Sequence, residues 1–330
     1  MMTSHKLTQT FIALAALALL SMSALAADPG LVPGPASGVV SDQKAGSVLV
    51  YNLYSSNSTN PAAENTRINI TNTDDANGVF VHLFFVDGRT CSVADTVVCL
   101  SRSQTTSITA SDLDPDVTGF IIAVATGADG LPICFNQLIG DEYVKLTSGH
   151  QANLGAEAIS WINGPNPIDL TWFETSILRF DGVAYDALPR VLAIDNLLSA
   201  RDGNNTLLVV NRIHIRLNIG GESVGDIFGL LFNELEAAFS FSFFHFPCQL
   251  KTSLSDTFPR TTPRLSSVIP SGSTGWMKFW RTDDRALLGS VINRNTSAAA
   301  TAYQGGHNLH KLTYTTNDSI VIPVFSPTCN

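Results

Sequence analysis

Basic residues are scarce in this 330-residue chain: 19 Lys and Arg stand against 28 Asp and Glu, a formal net charge of −9. No basic block interrupts the acidic balance, which excludes nucleic acid and anionic membrane surfaces as partners. Charge of either sign is sparse, at 14% of residues. Ser, Thr and Asn take its place, a surface chemistry common in extracellular β-proteins. Apolar runs long enough to cross a bilayer are also missing, so no membrane span is expected. Cys-x-x-Cys spacing does not occur, which argues against a zinc site. Strong amphipathic helices are lacking too, and residues 226–238 are the best helical candidate. No motif in the chain calls for a cofactor.

The N-terminus supplies the compartment. "MMTSHKLTQTFIALAALALLSMSALA" has one Lys, an apolar stretch from Phe11 to Leu20 and Ala24-Leu25-Ala26, the pattern of a secretory signal peptide cut before Ala27. Removing residues 1–26 with Lys6 leaves 304 residues at a net charge of −10. The expected location is periplasmic or secreted. Residues 27–44, rich in Pro, Gly and Ser, read as a flexible leader.

Beyond the leader, the chain is a series of short runs rich in Val, Ile, Phe and Thr, such as "SVLVYNLY", "VFVHLFFV" and "TGFIIAVAT", separated by turns such as "NTDDANG" and "GADGLP". These are strand-and-hairpin signals. The runs also repeat in order. "VLVYNLYSSN" from Val48 is echoed by "VLAIDNLLSA" from Val191, and "INITN" ending at Asn72 by "LLVVN" ending at Asn211. "VFVHLFFVDG" matches "IFGLLFNELE", "VVCL" matches "FPCQL", "TGFIIAVAT" matches "TGWMKFWRT", and "SGHQANL" matches "GGHNLHKL". Ordered anchors of this kind indicate an internal duplication. The expected fold is all-β: two tandem, duplicated immunoglobulin-like β-sandwich domains. Residues 45–160 make the first, 161–187 a linker or extra strand, and 188–330 the second.

The segments "HLFFVDGRTCSVADTVVCL", "LIGDEYVKLTSGHQANLGAEAIS" and "GWMKFW" resemble a group of exported, β-rich bacterial proteins without assigned function. The resemblance covers most of the mature chain. It implies export and a β-rich fold, and it carries no catalytic residues.

Gly221-Glu222-Ser223-Val224-Gly225 spells G-x-S-x-G, the nucleophile elbow of serine hydrolases. Ser223 is thus a candidate nucleophile, with Asp256, Asp283 or Asp284 and then His307 or His310 downstream. The motif needs a strand–turn–helix in a parallel sheet and an oxyanion-hole loop, and the chain shows neither that alternation nor a His-Gly dipeptide. The duplication sets "GGESVGD" against the plain turn "NTDDANGV", so Ser223 is expected in a turn.

Asp112, Asp114 and Asp116 alternate in "SDLDPDVTG", an arrangement that gathers oxygens for Ca²⁺. Val117 and Ala123 stand where an EF-hand needs Gly and Glu, and an acidic turn capping its own backbone is the simpler reading. His307 and His310 are three apart, on opposite faces of a strand, so they are not expected to share a metal. His150 is the first copy's match for His307.

"FSFSFFHF" (239–246) reads as a central strand with Phe239, Phe241 and Phe243 facing the core. The alternative is a sticky edge strand open to β-augmentation. Trp161, Trp172, Trp276 and Trp280 suggest a sugar platform, but Phe120 and Val124 occupy the first-copy equivalents of Trp276 and Trp280, so that face is expected in the core. The cysteines are expected in structural disulfides. Cys91 with Cys99 makes a hairpin staple and Cys248 with Cys329 ties down the chain end. Cys134 is then unpaired, or competes for Cys99.

The expectation is an exported, non-catalytic protein acting as a structural, adhesive or partner-binding component of the cell exterior. Its partner would be a protein or cell-surface component, including further copies of itself, or a glycan. A carbohydrate-binding module is the first alternative and a serine hydrolase using Ser223 the second.

Overall fold

The computed structural model describes residues 38–163, 168–169, 175–220, 223–299 and 302–328. The expected signal peptide and most of the expected leader, together with Trp172, Glu222 and Cys329, lie outside them. No described helix is long and apolar enough to cross a membrane.

Nearly all regular structure is strand. The chain runs β1 (Val48–Ser55), β2 (Asn65–Asn72), β3 (Val79–Asp87), β4 (Val93–Leu100), β5 (Thr105–Thr109), a single turn α1 (Ala110–Leu113), β6 (Thr118–Thr126), β7 (Leu138–Lys145), β8 (Gln151–Gly155) and β9 (Glu157–Ile159). After β10 (Ile168–Asp169) and β11 (Thr175–Phe180) come β12 (Leu188–Leu198), β13 (Asn205–Arg212), β14 (Ile215–Arg216), β15 (Gly225–Asn233), β16 (Ala238–Phe246) and β17 (Gln249–Ser253). A second single turn, α2 (Leu265–Val268), precedes β18 (Thr274–Arg281), β19 (Leu287–Arg294), β20 (Gly305–Asn308), β21 (His310–Thr315) and β22 (Asp318–Pro323).

The strands make five sheets. Sheet I has the order β4-β3-β6-β1-β9 and sheet II β5-β2-β7-β8. Sheet III is β16-β15-β18-β12-β21 and sheet IV β17-β13-β19-β20. Sheet V, β10-β11-β22-β14, is assembled from three distant parts of the chain. Together they are arranged as a five-bladed β-propeller, which corrects the expectation of two tandem immunoglobulin-like sandwiches. The physical reason lies in β1, buried along its whole length. Its Leu49 and Tyr51 belong to one core cluster, with Ile68 and Ile70 of sheet II. Its Val48 and Val50 belong to another, with Leu178, Phe180, Ile320 and Ile322 of sheet V. A sandwich sheet has one core face and one wet face; sheet I has neighbours on both.

The repeat seen in the sequence reappears in the pairing. Replacing β1 by β12, β2 by β13, β3 by β15, and so on to β9 by β21, converts sheet I into sheet III and sheet II into sheet IV. Even the irregularities coincide. The β1–β6 register slips between Tyr51 and Tyr54, and the β12–β18 register between Ile194 and Leu197. Past the slip, Tyr54 faces Gly119 and Leu197 faces Gly275. A Cβ on Gly119 would lie 1.8 Å from the Val86 carbonyl oxygen, and one on Gly275 2.5 Å from that of Phe232. The Thr-Gly-aromatic anchor therefore marks a point where the neighbouring backbone leaves no room for a side chain.

Two segments read as spacers are part of the fold. Val40 is buried in the cluster beneath sheet V, and Ser41 bridges to Ala158. β11, from the supposed linker, pairs along its full length with β22.

Candidate functional site

Ser223 follows two residues outside the described set and is exposed. Its backbone carbonyl accepts from the guanidinium of Arg212 at 3.0 Å and of Arg281 at 3.4 Å. Gly225, with φ +77°, then opens β15, which pairs antiparallel with β16 and β18. Residues 226–238, the best helical candidate in a chain read as all-β, are a strand and a tight turn. Alternate Ile227, Gly229 and Leu231 point inward, a period of two that the Gly-rich approach had obscured. The elbow's strand–turn–helix context is therefore missing. The acids proposed to complete a triad have other tasks. Asp283 holds the Arg281 guanidinium through two 2.7 Å bonds, and Asp256 accepts from the backbone and hydroxyl of Ser266 at the start of α2.

The three aspartates of the proposed calcium loop also diverge. Asp114 accepts the Tyr54 hydroxyl, and Asp116, in the left-handed region at φ +63°, accepts both the amide and hydroxyl of Ser58. Asp112 is exposed in the turn of α1. Asp114 and Asp116 serve different local contacts, and the three form no common centre.

The cysteine pairing differs from both expected staples. Cys91, in the β3–β4 turn, is bonded to Cys248, between β16 and β17, with a Cα separation of 5.4 Å. Cys99 is disulfide-bonded as well, Cys134 is free and exposed, and Cys329 lies outside the described residues. Cys91 and Cys99 bracket a hairpin whose strands β3 and β4 already pair throughout. The Cys91–Cys248 bond instead joins the two repeats. Beside it, Gln249 donates to the carbonyls of Gly119 (3.0 Å) and Asn52 (3.2 Å) and to Asn211 Oδ1 (2.9 Å).

The aromatic residues distribute unequally between the repeats. Phe120 and Val124 lie under sheet V, as the expectation for that face requires. In sheet III the equivalents divide, Trp280 buried and Trp276 at the surface. Phe228, Leu230, Phe232 and Lys278 are half-buried, and Trp276 is 36% exposed. Trp280 alone is closed off, at 1%. Trp276 stacks on Phe232 with ring centres 4.3 Å apart and planes 7° from parallel. Trp161 packs at the sheet V cluster, so the three tryptophans among the described residues form no common platform. β16 puts Phe241 and Phe243 in the core with Phe239 against it, as expected. It is nevertheless an edge strand of sheet III and not a central one, and it leaves Phe244 58% exposed.

The second notable surface is a groove of about 490 Å³ lined by Asp42, Asp195, His307, His310, Lys311 and Tyr314 among others. His307 lies near the end of β20 and His310 opens β21, so the two are not on one continuous strand. Both reach Asp195, on the bulged part of β12: His310 Nε2 at 3.3 Å from Oδ2 and His307 Nε2 at 3.7 Å from Oδ1. At the side of the groove, Lys311 pairs at 2.8 Å with Glu157, which is buried. Burial pushes the Glu157 carboxyl up to about 7, against the opposing pull of Lys311. Burial, and after it Glu157, raises Tyr314. The sequence reading found the two histidines and missed Asp195, Asp42, Glu157 and Lys311. Their convergence depends on the β12 bulge and on β9 and β21 being edges of equivalent sheets, neither of which leaves a local signature.

No family model and no curated protein matches this chain.

Proposed function

We propose that the protein is an exported, non-catalytic structural component of the cell exterior, working by association with protein surfaces, its own copies first. The observation that carries this reading is the apolar outer face of sheet III. In the first repeat the same face is covered by strands of the chain itself, β11 and β22. In the second it carries Phe228, Leu230, Phe232 and Trp276 at the surface, beside an edge strand with Phe244 exposed. Apolar patches next to an unpaired strand edge are the usual substrate of sheet-to-sheet association. A protein partner fits better than a glycan, because Trp276 and Phe232 spend a ring face on each other and sugars dock on open ring faces.

The test is light scattering coupled to size exclusion on the mature chain across a dilution series, with Trp276→Ser and Phe244→Ser separately and together. Oligomers in the wild type that disperse in the double variant are the expected result. A wild-type chain that elutes as a monomer at every concentration sinks the self-association reading.

A further inference from the structure

Asp195, His307 and His310 have no task in the fold, and their equivalents in the first repeat show this. The strand correspondence sets Asp195 against Asn52, His307 against Leu154 and His310 against Glu157, so His150, which precedes β8, is not the structural counterpart of His307. Asn52 is buried and donates to Gly289 O and Asn308 Oδ1. Leu154 is buried, and Glu157 is buried beside Lys311. In the second repeat all three positions face solvent, with side chains 58%, 49% and 51% exposed. A fold that buries the side chains at these places in one copy displays two imidazoles and a carboxylate in the other.

We propose that Asp195, His307 and His310 bind a divalent transition-metal ion of the zinc class, water completing the coordination. Three features support it. The donors are of the right kind: imidazole nitrogen and carboxylate suit zinc, copper and nickel. The spacing is near that of a metal site, since two ligands about 2.0–2.1 Å from one tetrahedral ion stand about 3.3 Å from each other. The observed nitrogen–oxygen separations are 3.3 and 3.7 Å. The tautomer of His307 is also suitable. Its Nδ1–H donates to the Asn308 carbonyl at 2.8 Å, which leaves the lone pair on Nε2, the atom facing Asp195. The one cation lining the groove, Lys311, is paired with Glu157 and does not oppose an incoming ion. Asp42 adds negative charge to the same groove. Among the described residues no three such side chains, these included, stand arranged to hold a metal ion as they are, so binding requires the ion to draw the three half-exposed side chains together. Asp195 and His310 also stand on sheet III, but the metal test does not involve Trp276 or Phe244, so either reading can fail alone.

The experiment is a calorimetric titration of ZnCl₂ into the untagged mature chain after EDTA treatment and dialysis. One ion per wild-type chain is expected. Asp195→Asn weakens binding by at least about tenfold, the scale seen when a metal site loses part of its support, and His307→Ala with His310→Ala abolishes it. Zinc should raise the melting temperature of the wild type and leave the double variant unmoved. The substituted side chains are half-exposed, so melting in EDTA should be the same for all the proteins and show that each is folded. Absence of saturable binding by the wild type, or equal binding by the double variant, overturns the proposal.

Discussion

At the scale of single residues, the most constrained positions are glycines that the sequence presented only as part of a repeated phrase. Gly119 and Gly275 occupy the same place in equivalent strands, each against a carbonyl oxygen of the neighbouring strand. Gly119→Ala should cost about 1–3 kcal/mol, the range for forcing atoms into a packed interior. A lower urea midpoint with an unchanged slope is the expected result, and a midpoint equal to wild type would show that the backbone yields easily.

Glu157 illustrates the other kind of residue effect. Its carboxyl is held up at about 7 by burial in the folded protein, whereas an unfolded Glu titrates near about 4.3. Between those values the folded state binds more protons, so this group's contribution to stability is present below about pH 4.3 and is lost as pH rises through 7. Asp318, raised to about 6 by burial, acts in the same direction. Glu157→Gln removes the titration while leaving Lys311 without its partner, a cost that hardly varies from pH 5 to 8. The melting temperature of the variant should therefore gain on wild type as pH rises across that range, and parallel curves would refute the assignment.

At the scale of elements, strands and their repeat were legible because alternation and turn chemistry are local. Phe239, Phe241 and Phe243 read correctly as inward-facing, since period two decides a face within one strand. Residues 226–238 stood out as a helical candidate because "DIFGLLFNELEAAF" also satisfies a helical spacing, and pairing with β16 and β18 makes the segment strand, as the repeat had matched it. What a strand's sequence does not carry is which sheet lies over its other face. Trp276 and Trp280 were assigned to the core through Phe120 and Val124, which was sound for the first repeat. In the second repeat Trp280 is buried as expected, but Trp276 is left at the surface, and sheet III keeps an aromatic exterior there. The candidate site was partly legible for the same reason: two histidines were visible in the sequence, and the aspartate they face was not.

At the scale of the whole molecule, the question is whether two repeats make two units or one. Face-to-face packing of antiparallel sheets gives the same alternation in a sandwich as in a propeller, so composition and periodicity do not separate them. Sheet V decides it, by recruiting β11 from between the repeats, β14 from inside the second and β22 from near the chain end. The core it shares with sheet I contains Val48 and Phe120 from the first repeat, with Ile213, Cys248 and Leu288 from the second. The Cys91–Cys248 bond links residues 157 apart in sequence across the same boundary. In the chain-entropy account a closure of that length contributes about 5 kcal/mol. Cys91→Ser with Cys248→Ser should therefore lower the denaturant midpoint strongly, whereas Cys134→Ser, at a free and exposed thiol, should leave it unchanged. The shape of the transition is the sharper readout. A core built from both repeats should still unfold in a single step without the disulfide, with fluorescence and circular dichroism coincident. Two resolved steps in the double variant would mean that the repeats are separate folding units held together by one covalent bond.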